Sequence, residues 1–463
     1  MPSTQKIQDL LENEETFCNL QYALSILDFP QGTSLQQYLR QNPPPPRRHK
    51  MMGLENPTID FNDMAVLLVQ GSEEGGEVAL SAQMQTGHRL QLYYTKAGVT
   101  EEIEADKGYI KRVVDQLRAQ DSVDKILATV SQHCHSRVVA HCQRLASACG
   151  MTDPYASGSR GDFLGIKTRY GYDRFEQQAR GFFVSGTTPV WRFIDGAIRR
   201  CALPPHKWTT KNVSDIIDLF YYLMRLNPGL ASLLNFGHAH HIQEITKYRR
   251  IITSLKDVLK NNPDLKIEAT FVPSPAQSLR NPHRDVVRIL NALRSQLEHH
   301  SEPISEDDLK LSYPSYQHSD PSVETTVAWC QHPEITLAVK LLQMQMNSVT
   351  RSQVLDIGVS LPSCAWCRAW FSGVTRVKVR SRALCGIRFF TCRAQRGYDL
   401  GWMPPNIPTG VVGDLVAGGN QAVYDRVDQM LDEVFQNVKD AVESQADSDG
   451  SESPPWCYLY DPL

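Results

Sequence analysis

The stretch 332–367, HPEITLAVKLLQMQMNSVTRSQVLDIGVSLPSCAWC, decides how this chain is read. Its first half, ITLAVKLLQMQ (335–345), is dense in good helix formers. Pro333 suits a first helical turn, where a missing N–H costs nothing. Glu334 suits the positive end of a helix dipole. His332 and Glu334 are therefore predicted to sit together at a helix N-terminus. VLDIGVS (354–360) is an apolar run fit for a buried strand. LPSCAWC follows, then RAWF, which predicts a second helix opened by Cys364 with Cys367 one turn on. A helix N-terminus favours thiolate, the form of cysteine that binds metal.

One imidazole and two thiols make three zinc donors. A structural zinc site normally closes with four protein ligands, whereas a catalytic one keeps its fourth position for water. Zinc lowers the pKa of that water to about 7. Glu334, two residues from the imidazole, is placed to move a proton from the water to a leaving amine. The pattern H-x-E followed by P-C-x-x-C is the zinc deaminase signature, in which the Glu is not a ligand. This chain has H-P-E and then S-C-A-W-C, with 29 residues between Glu334 and Cys364. Two plainer readings stand beside the catalytic one. Cys330, Cys385 or Cys392 would close a structural zinc site, or the thiols are small buried apolar groups with no metal.

HPEITLAVKLL, LDIGVSLPSCAWC and the later GWMPP (401–405) together resemble the cytidine deaminase-like superfamily, most of all a fungal branch of nucleic-acid or nucleotide deaminases. The likeness covers about 326–408. It implies that His332, Cys364 and Cys367 bind zinc, that Glu334 is the proton shuttle, and that Trp402 belongs to a family Trp-x-x-Pro element. It implies a three-layer α/β/α domain with a mixed sheet, whose fold begins helix–strand–strand before the His-x-Glu helix. DFNDMAVLLVQ, GEVALSAQMQ and HRLQLYYTK (60–96) fit that beginning. The domain would then be split into 57–100 and 324–410, with a large all-helical insertion or accompanying region at 101–323. The chain departs from the family in two places. Many members carry a sugar-holding Asn after the second strand, where this sequence has Ala97 and Gly98. Pro362 precedes Ser363 instead of abutting Cys364.

The implied reaction is hydrolytic deamination of cytosine or adenine in nucleic acid or a nucleotide. The alternative is a catalytically inactive deaminase-fold protein with a structural zinc, acting in protein or nucleic-acid interaction. From Cys364 to Tyr398 there are eight basic residues and no acidic one. In VTRVKVR (374–380) valines alternate with Arg376, Lys378 and Arg380, which predicts a strand with one basic face. With Trp366 and Trp402 these are the candidate substrate contacts, basic and stacking groups that suit single-stranded nucleic acid. The plainer alternative is a solvated edge strand.

Elsewhere, 1–40 reads as a helical segment with apolar residues at Ile7, Leu10, Leu11, Phe17, Leu20 and Leu24, and the Pro-rich 41–56 as a linker. VYDRVDQMLDEVFQNVKDAV (423–442) predicts an amphipathic helix within a segment 411–443. Residues 444–463 read as an acidic tail whose apolar end, WCYLYDPL, docks back or binds a partner. A protein partner is also expected through the helical region. SQHCHSRVVAHC (131–142) lies in a helical pattern, which separates its adjacent His and Cys residues by about 100° and argues against a metal site. HAHH (238–241) reads as a helix boundary. GSRGDFLG (158–165) lacks a phosphate-loop glycine pattern.

The formal net charge over 463 residues is −3, so affinity for nucleic acid must come from a local patch. No apolar run reaches the roughly 18 residues of a membrane span. MPSTQKIQDLLENEE lacks the basic start and apolar core of a secretory signal. The expected setting is intracellular, cytoplasmic or nuclear, with no membrane partner and reduced thiols.

Overall fold

The computed structural model describes residues 13–27, 49–50, 58–59, 61–68, 77–85, 88–150, 190–226, 236–283, 285–296, 303–313, 316, 326–346, 354–360, 363–380, 388–391 and 401–449. Along the chain come α1 (Glu14–Ile26), β1 (His49–Lys50), β2 (Thr58–Ile59), α2 (Phe61–Leu67), β3 (Val78–Gln85) and β4 (Arg89–Lys96). Then follow α3 (Glu104–Arg118), α4 (Val123–His133), α5 (His135–Ala148), α6 (Val190–Cys201), α7 (Thr210–Leu226) and α8 (Phe236–Asn261). Next are β5 (Lys266–Phe271), β6 (Ser278–Arg280), α9 (Val286–Gln296), α10 (Glu306–Ser312), β7 (Val327–Trp329) and α11 (Pro333–Met346). Last are β8 (Val354–Val359), α12 (Ala365–Arg380), β9 (Arg388–Thr391) and α13 (Val411–Asp449).

One mixed sheet organises these elements, in the order β5-β4-β3-β8-β9. β3 pairs antiparallel with β4 and with β8, while β4–β5 and β8–β9 are parallel. Ala79 stands opposite Val359 and Ser81 opposite Ile357, so the hairpin near the N-terminus and the strand before the C-x-x-C belong to one sheet. Side chains alternate across a strand. Leu80, Leu90, Leu92, Tyr94 and Ile267 join the core cluster of α2–α8. Ala79, Tyr93, Ile357 and Val359 join that of α1 and α9–α13. Helices thus cover both faces.

The junction of α2 and β8 is close enough to forbid a side chain. A Cβ on Gly358 would strike the backbone of Phe61. Asn62 closes the contact by accepting the Val359 N–H at 2.9 Å. Val78 N–H donates to Ser360 Oγ at 2.9 Å, and Ser360 N–H donates to the Val78 carbonyl at 2.9 Å.

Several expectations are corrected. The region 101–323 is not all helical. KIEATF forms β5 at the sheet edge, and SLR forms β6, which pairs with β7. The alternation in KIEATF is masked by exposure, since only Ile267 is buried. VTRVKVR is not a strand, because α12 runs helically through Arg380. The cause is packing on α13. A Cβ on Gly373 would collide with Gly418, and one on Gly419 with the Trp370 ring, so two helices cross at glycines and contact overrides the alternating pattern. On a helix, alternate residues are about 200° apart, so position 378 falls on the opposite side from positions 376 and 380, and the three do not form one basic face. Arg376 is exposed. The 131–142 segment breaks at Cys134, which separates α4 from α5. α13 begins at Val411 and continues to Asp449, into the segment expected to be tail. Phe17, Leu20 and Leu24 are buried as their spacing predicts. The expectations for Ile7, Leu10, Leu11, 41–48, 158–165 and 450–463 lie outside the described residues. No described helix is long and apolar enough to cross a membrane.

Two outcomes follow from this packing. Gly358→Ala should destabilise the fold by about 2–4 kcal/mol in urea unfolding, because neither backbone has room to yield; an unchanged midpoint would refute the close approach. Burial holds the His133 and His141 imidazoles down at about 4 against an ordinary 6.5. A folded-state pKa below the unfolded one stabilises the fold fully above pH 6.5, and this is lost as pH falls towards 4. Unfolding free energy should therefore drop across that window, by roughly 2–3 kcal/mol for each histidine. The double variant His133→Gln/His141→Gln should flatten the drop, and an equally steep profile in that variant would show that other groups cause it.

Candidate metal centre

Two helix starts meet at the end of β8. His332 precedes α11, and its carbonyl accepts the N–H groups of Ile335 at 3.0 Å and Thr336 at 3.1 Å. Its backbone is therefore used in capping the helix, which leaves the ring to face the C-x-x-C turn. Cys364 plays the same part for α12. Its carbonyl accepts from Arg368 N–H at 3.1 Å, and its Sγ accepts from Cys367 N–H at 3.5 Å, the bond an N-cap side chain makes to the third helical residue.

His332 Nδ1 lies 3.5 Å from Cys364 Sγ and 3.3 Å from Cys367 Sγ, and the two sulfurs are 3.6 Å apart. Zinc bonds of about 2.3 Å to sulfur and 2.0–2.1 Å to nitrogen, at tetrahedral angles, require edges of about 3.8 Å (S–S) and 3.6 Å (S–N). The three donors thus form one face of a tetrahedron of the right size. Among the described residues, no fourth His, Cys, Asp or Glu joins this triad at mutual ligand spacing. Cys330, one of the three cysteines weighed as a fourth ligand of a structural site, is not part of it; Cys385 and Cys392 lie outside the described residues.

A second group overlaps the first at the imidazole. Carboxylate oxygens of Glu77 and Glu334 and a ring nitrogen of His332 all lie within 4.8 Å of one another. Glu77 Oε2 is 4.0 Å from His332 Nδ1. Glu334 and His332 are each 3% exposed and the two cysteines 0%, whereas the Glu77 side chain is 19% exposed. Glu77 is thus the most open member of the cluster. Sequence reading missed it, because it lies 255 positions before His332 in no motif. Only its place just before β3 brings it here, its carbonyl accepting the Ala97 N–H at 3.1 Å.

Burial opposes charge on all four groups, and their contacts decide which carries it. Burial raises Cys364, but hydrogen bonds from Cys367 and the charge of His332 hold it well below the ordinary thiol range. Burial lowers His332, yet Cys364 and Glu77 beside it raise it above the ordinary imidazole. The Glu334 carboxyl is pushed up by burial, with His332 pulling the other way and Glu77 adding to the rise. Cys364 as thiolate is the species that binds metal.

Trp366 and Trp402 were expected as substrate contacts, and the structure places both rings in the core at 0% exposure. Stacking on a base needs an open ring face, and neither offers one. Trp366 lies against Phe17, with centroids 6.1 Å apart. Trp402 Nε1–H donates to Cys367 Sγ at 3.2 Å, so this residue orients one of the candidate metal donors. Trp402 is itself fixed by α1, where Gln21 Nε2–H donates to its carbonyl at 3.0 Å and Gln21 Oε1 accepts the Gly401 N–H at 2.9 Å. The role of α1 was not legible either, because Gln21 looks like any polar residue on a helix face.

Comparison with known protein families, with curated proteins and with solved structures finds no match for this chain.

Purified protein is expected to hold about one divalent metal ion per chain, lost in Cys364→Ser and in Cys367→Ser. Trp402→Phe should keep the metal but bind it roughly 10–100-fold more weakly, as chelator competition would show. Equal affinity in wild type and both serine variants would refute the centre.

Proposed function

We propose that this chain is a zinc-dependent hydrolytic deaminase acting on a nucleobase, cytosine or adenine, in nucleic acid or a nucleotide. The observation that carries the reading is the tetrahedral face of His332 Nδ1, Cys364 Sγ and Cys367 Sγ with the Glu334 carboxyl beside it. The deaminase-like three-layer domain implied by resemblance gains support from the pairing of β3 with β8, which joins the split halves into one sheet.

Zinc in this donor set supplies a water activated for attack at neutral pH. The reaction adds water at the amine-bearing carbon and expels ammonia, leaving a carbonyl. Glu334 takes the proton from the water and delivers it to the departing nitrogen. Burial raises its carboxyl, which favours the protonated form that a proton shuttle must reach. Ala97 stands where the resemblance expects a sugar-holding Asn, and its N–H fixes the Glu77 backbone. Glu77 then supplies the polar group on that side, an acceptor for a base amine or a sugar hydroxyl. Arg376, Lys378 and Arg380 at the end of α12 remain candidate phosphate contacts.

A second reading has an observation of its own. His332, Glu334, Cys364 and Cys367 are all nearly or fully buried, which suits a structural zinc in an inactive, interaction-type protein as well. The Glu334→Ala variant separates the two. On the enzymatic reading it keeps its zinc and loses at least about 100-fold in ammonia release from single-stranded DNA, RNA or nucleotides. Wild-type zinc content without ammonia release from any of these substrates would favour the structural reading.

A further inference from the structure

Arg137 lies at the start of α5, on the opposite face of the sheet from the helices that carry the cysteines. It is 1% exposed. Its Nη2–H donates to the Ser360 carbonyl at 3.0 Å. Its Nε and Nη1 have no hydrogen-bond partner among the described residues. No carboxylate among the described residues forms an ion pair with it. A guanidinium cannot lose its proton in a protein, so among the described residues this buried charge has no ion-pair partner, a costly arrangement.

The facing helix offers a second orphan. Tyr248 on α8 is 1% exposed, and its hydroxyl has no partner. α5 and α8 pack together, with His141 Nδ1 3.5 Å from His241 Nδ1. Arg137 is one turn from His141 on its helix, and Tyr248 two turns from His241 on the other. Burial raises the Tyr248 phenol, and Arg137 is the largest opposing influence on it, so the two groups feel each other's field. Asp106, whose field reaches Cys134 together with that of Arg137, is ion-paired to Lys96. Glu244 is ion-paired to Lys247, and burial holds His141 neutral at neutral pH.

We propose that the interior between α5 and α8 binds a phosphate-class oxyanion, held by the unused N–H groups of Arg137 and the hydroxyl of Tyr248. A tetrahedral oxyanion accepts hydrogen bonds from several directions, as donors on two helices require, whereas a planar carboxylate suits a fork from one side. The anion supplies the missing negative charge and satisfies three orphan donors at once. It also has a structural consequence. Arg137 holds the Ser360 carbonyl, Ser360 is bonded to Val78, and the chain reaches Cys364 four residues later. The bound anion thereby steadies the turn that presents Cys364. The inference does not depend on deaminase activity or on zinc.

The test uses full-length protein purified without phosphate or sulfate. Native mass spectrometry should show one noncovalent anion that is lost on denaturation. Ion chromatography of the released material tells inorganic phosphate from the phosphoryl group of a larger organic phosphate. If the site is emptied by purification, millimolar inorganic phosphate should raise Tm by roughly 2–4 °C over chloride at equal ionic strength. Arg137→Met should abolish both signals, and Tyr248→Phe should reduce the shift. The absence of both a co-purifying anion and a phosphate-specific Tm shift in the wild type would overturn the proposal and leave buried water as the partner of these groups. Retention of the anion by Arg137→Met would overturn it equally.

Discussion

The register of β3 against β8 is the constraint on which the rest depends. It joins residues 78–81 to 357–360, far apart in the chain. Hydrogen bonds between Val78 and Ser360 fix the ends of the two strands at the same level. That level sets three things. Glu77, just before β3, arrives beside His332. Gly358 meets the backbone of α2. Ser360, four residues before Cys364, is fixed at the end of β8. A slip by one residue would exchange the faces of Ala79 and Leu80 and bury the wrong side chains in each helical layer.

The metal corner is costly to build, and its surroundings show how the cost is offset. Two thiols, an imidazole and a carboxyl are all buried. Each is held by a helix terminus or by a donor from a distant segment. α11 and α12 start at the cluster, so their N-terminal dipoles favour negative charge there. Trp402 donates to Cys367, and α1 holds Trp402 through Gln21. Phe17 on the same helix makes edge contacts with Trp329, Trp402 and Tyr424. The N-terminal helix thus forms part of the wall around the candidate site.

The legible parts of the chain were those with local causes. The helix after His332, the strand at 354–359 and the helix after Cys364 each carry their signal within a dozen residues. The illegible parts were decided by contact. VTRVKVR alternates like a strand, yet it is helical because Gly373, Gly418 and Gly419 let α12 lie against α13. KIEATF was hidden in a helical region because a single edge strand has little hydrophobic pattern to show. Trp366 and Trp402 read as stacking groups, because sequence gives residue type and spacing but not which ring faces remain open.

By itself the sequence determined the candidate donors. A His two residues before a Glu at a helix start, and a C-x-x-C opening a later helix, bring groups able to bind a metal to two helix starts through local backbone geometry alone. Tertiary structure decided that these candidate donors meet at tetrahedral spacing, that Glu77 stands beside them, and that Arg137 lies buried with no ion-pair partner among the described residues. The donors are 32 and 35 positions apart, and Glu77 and Arg137 meet partners more than two hundred positions away. Such pairings are set by burial and hydrogen-bond register across the whole sheet, and no short window of sequence contains them.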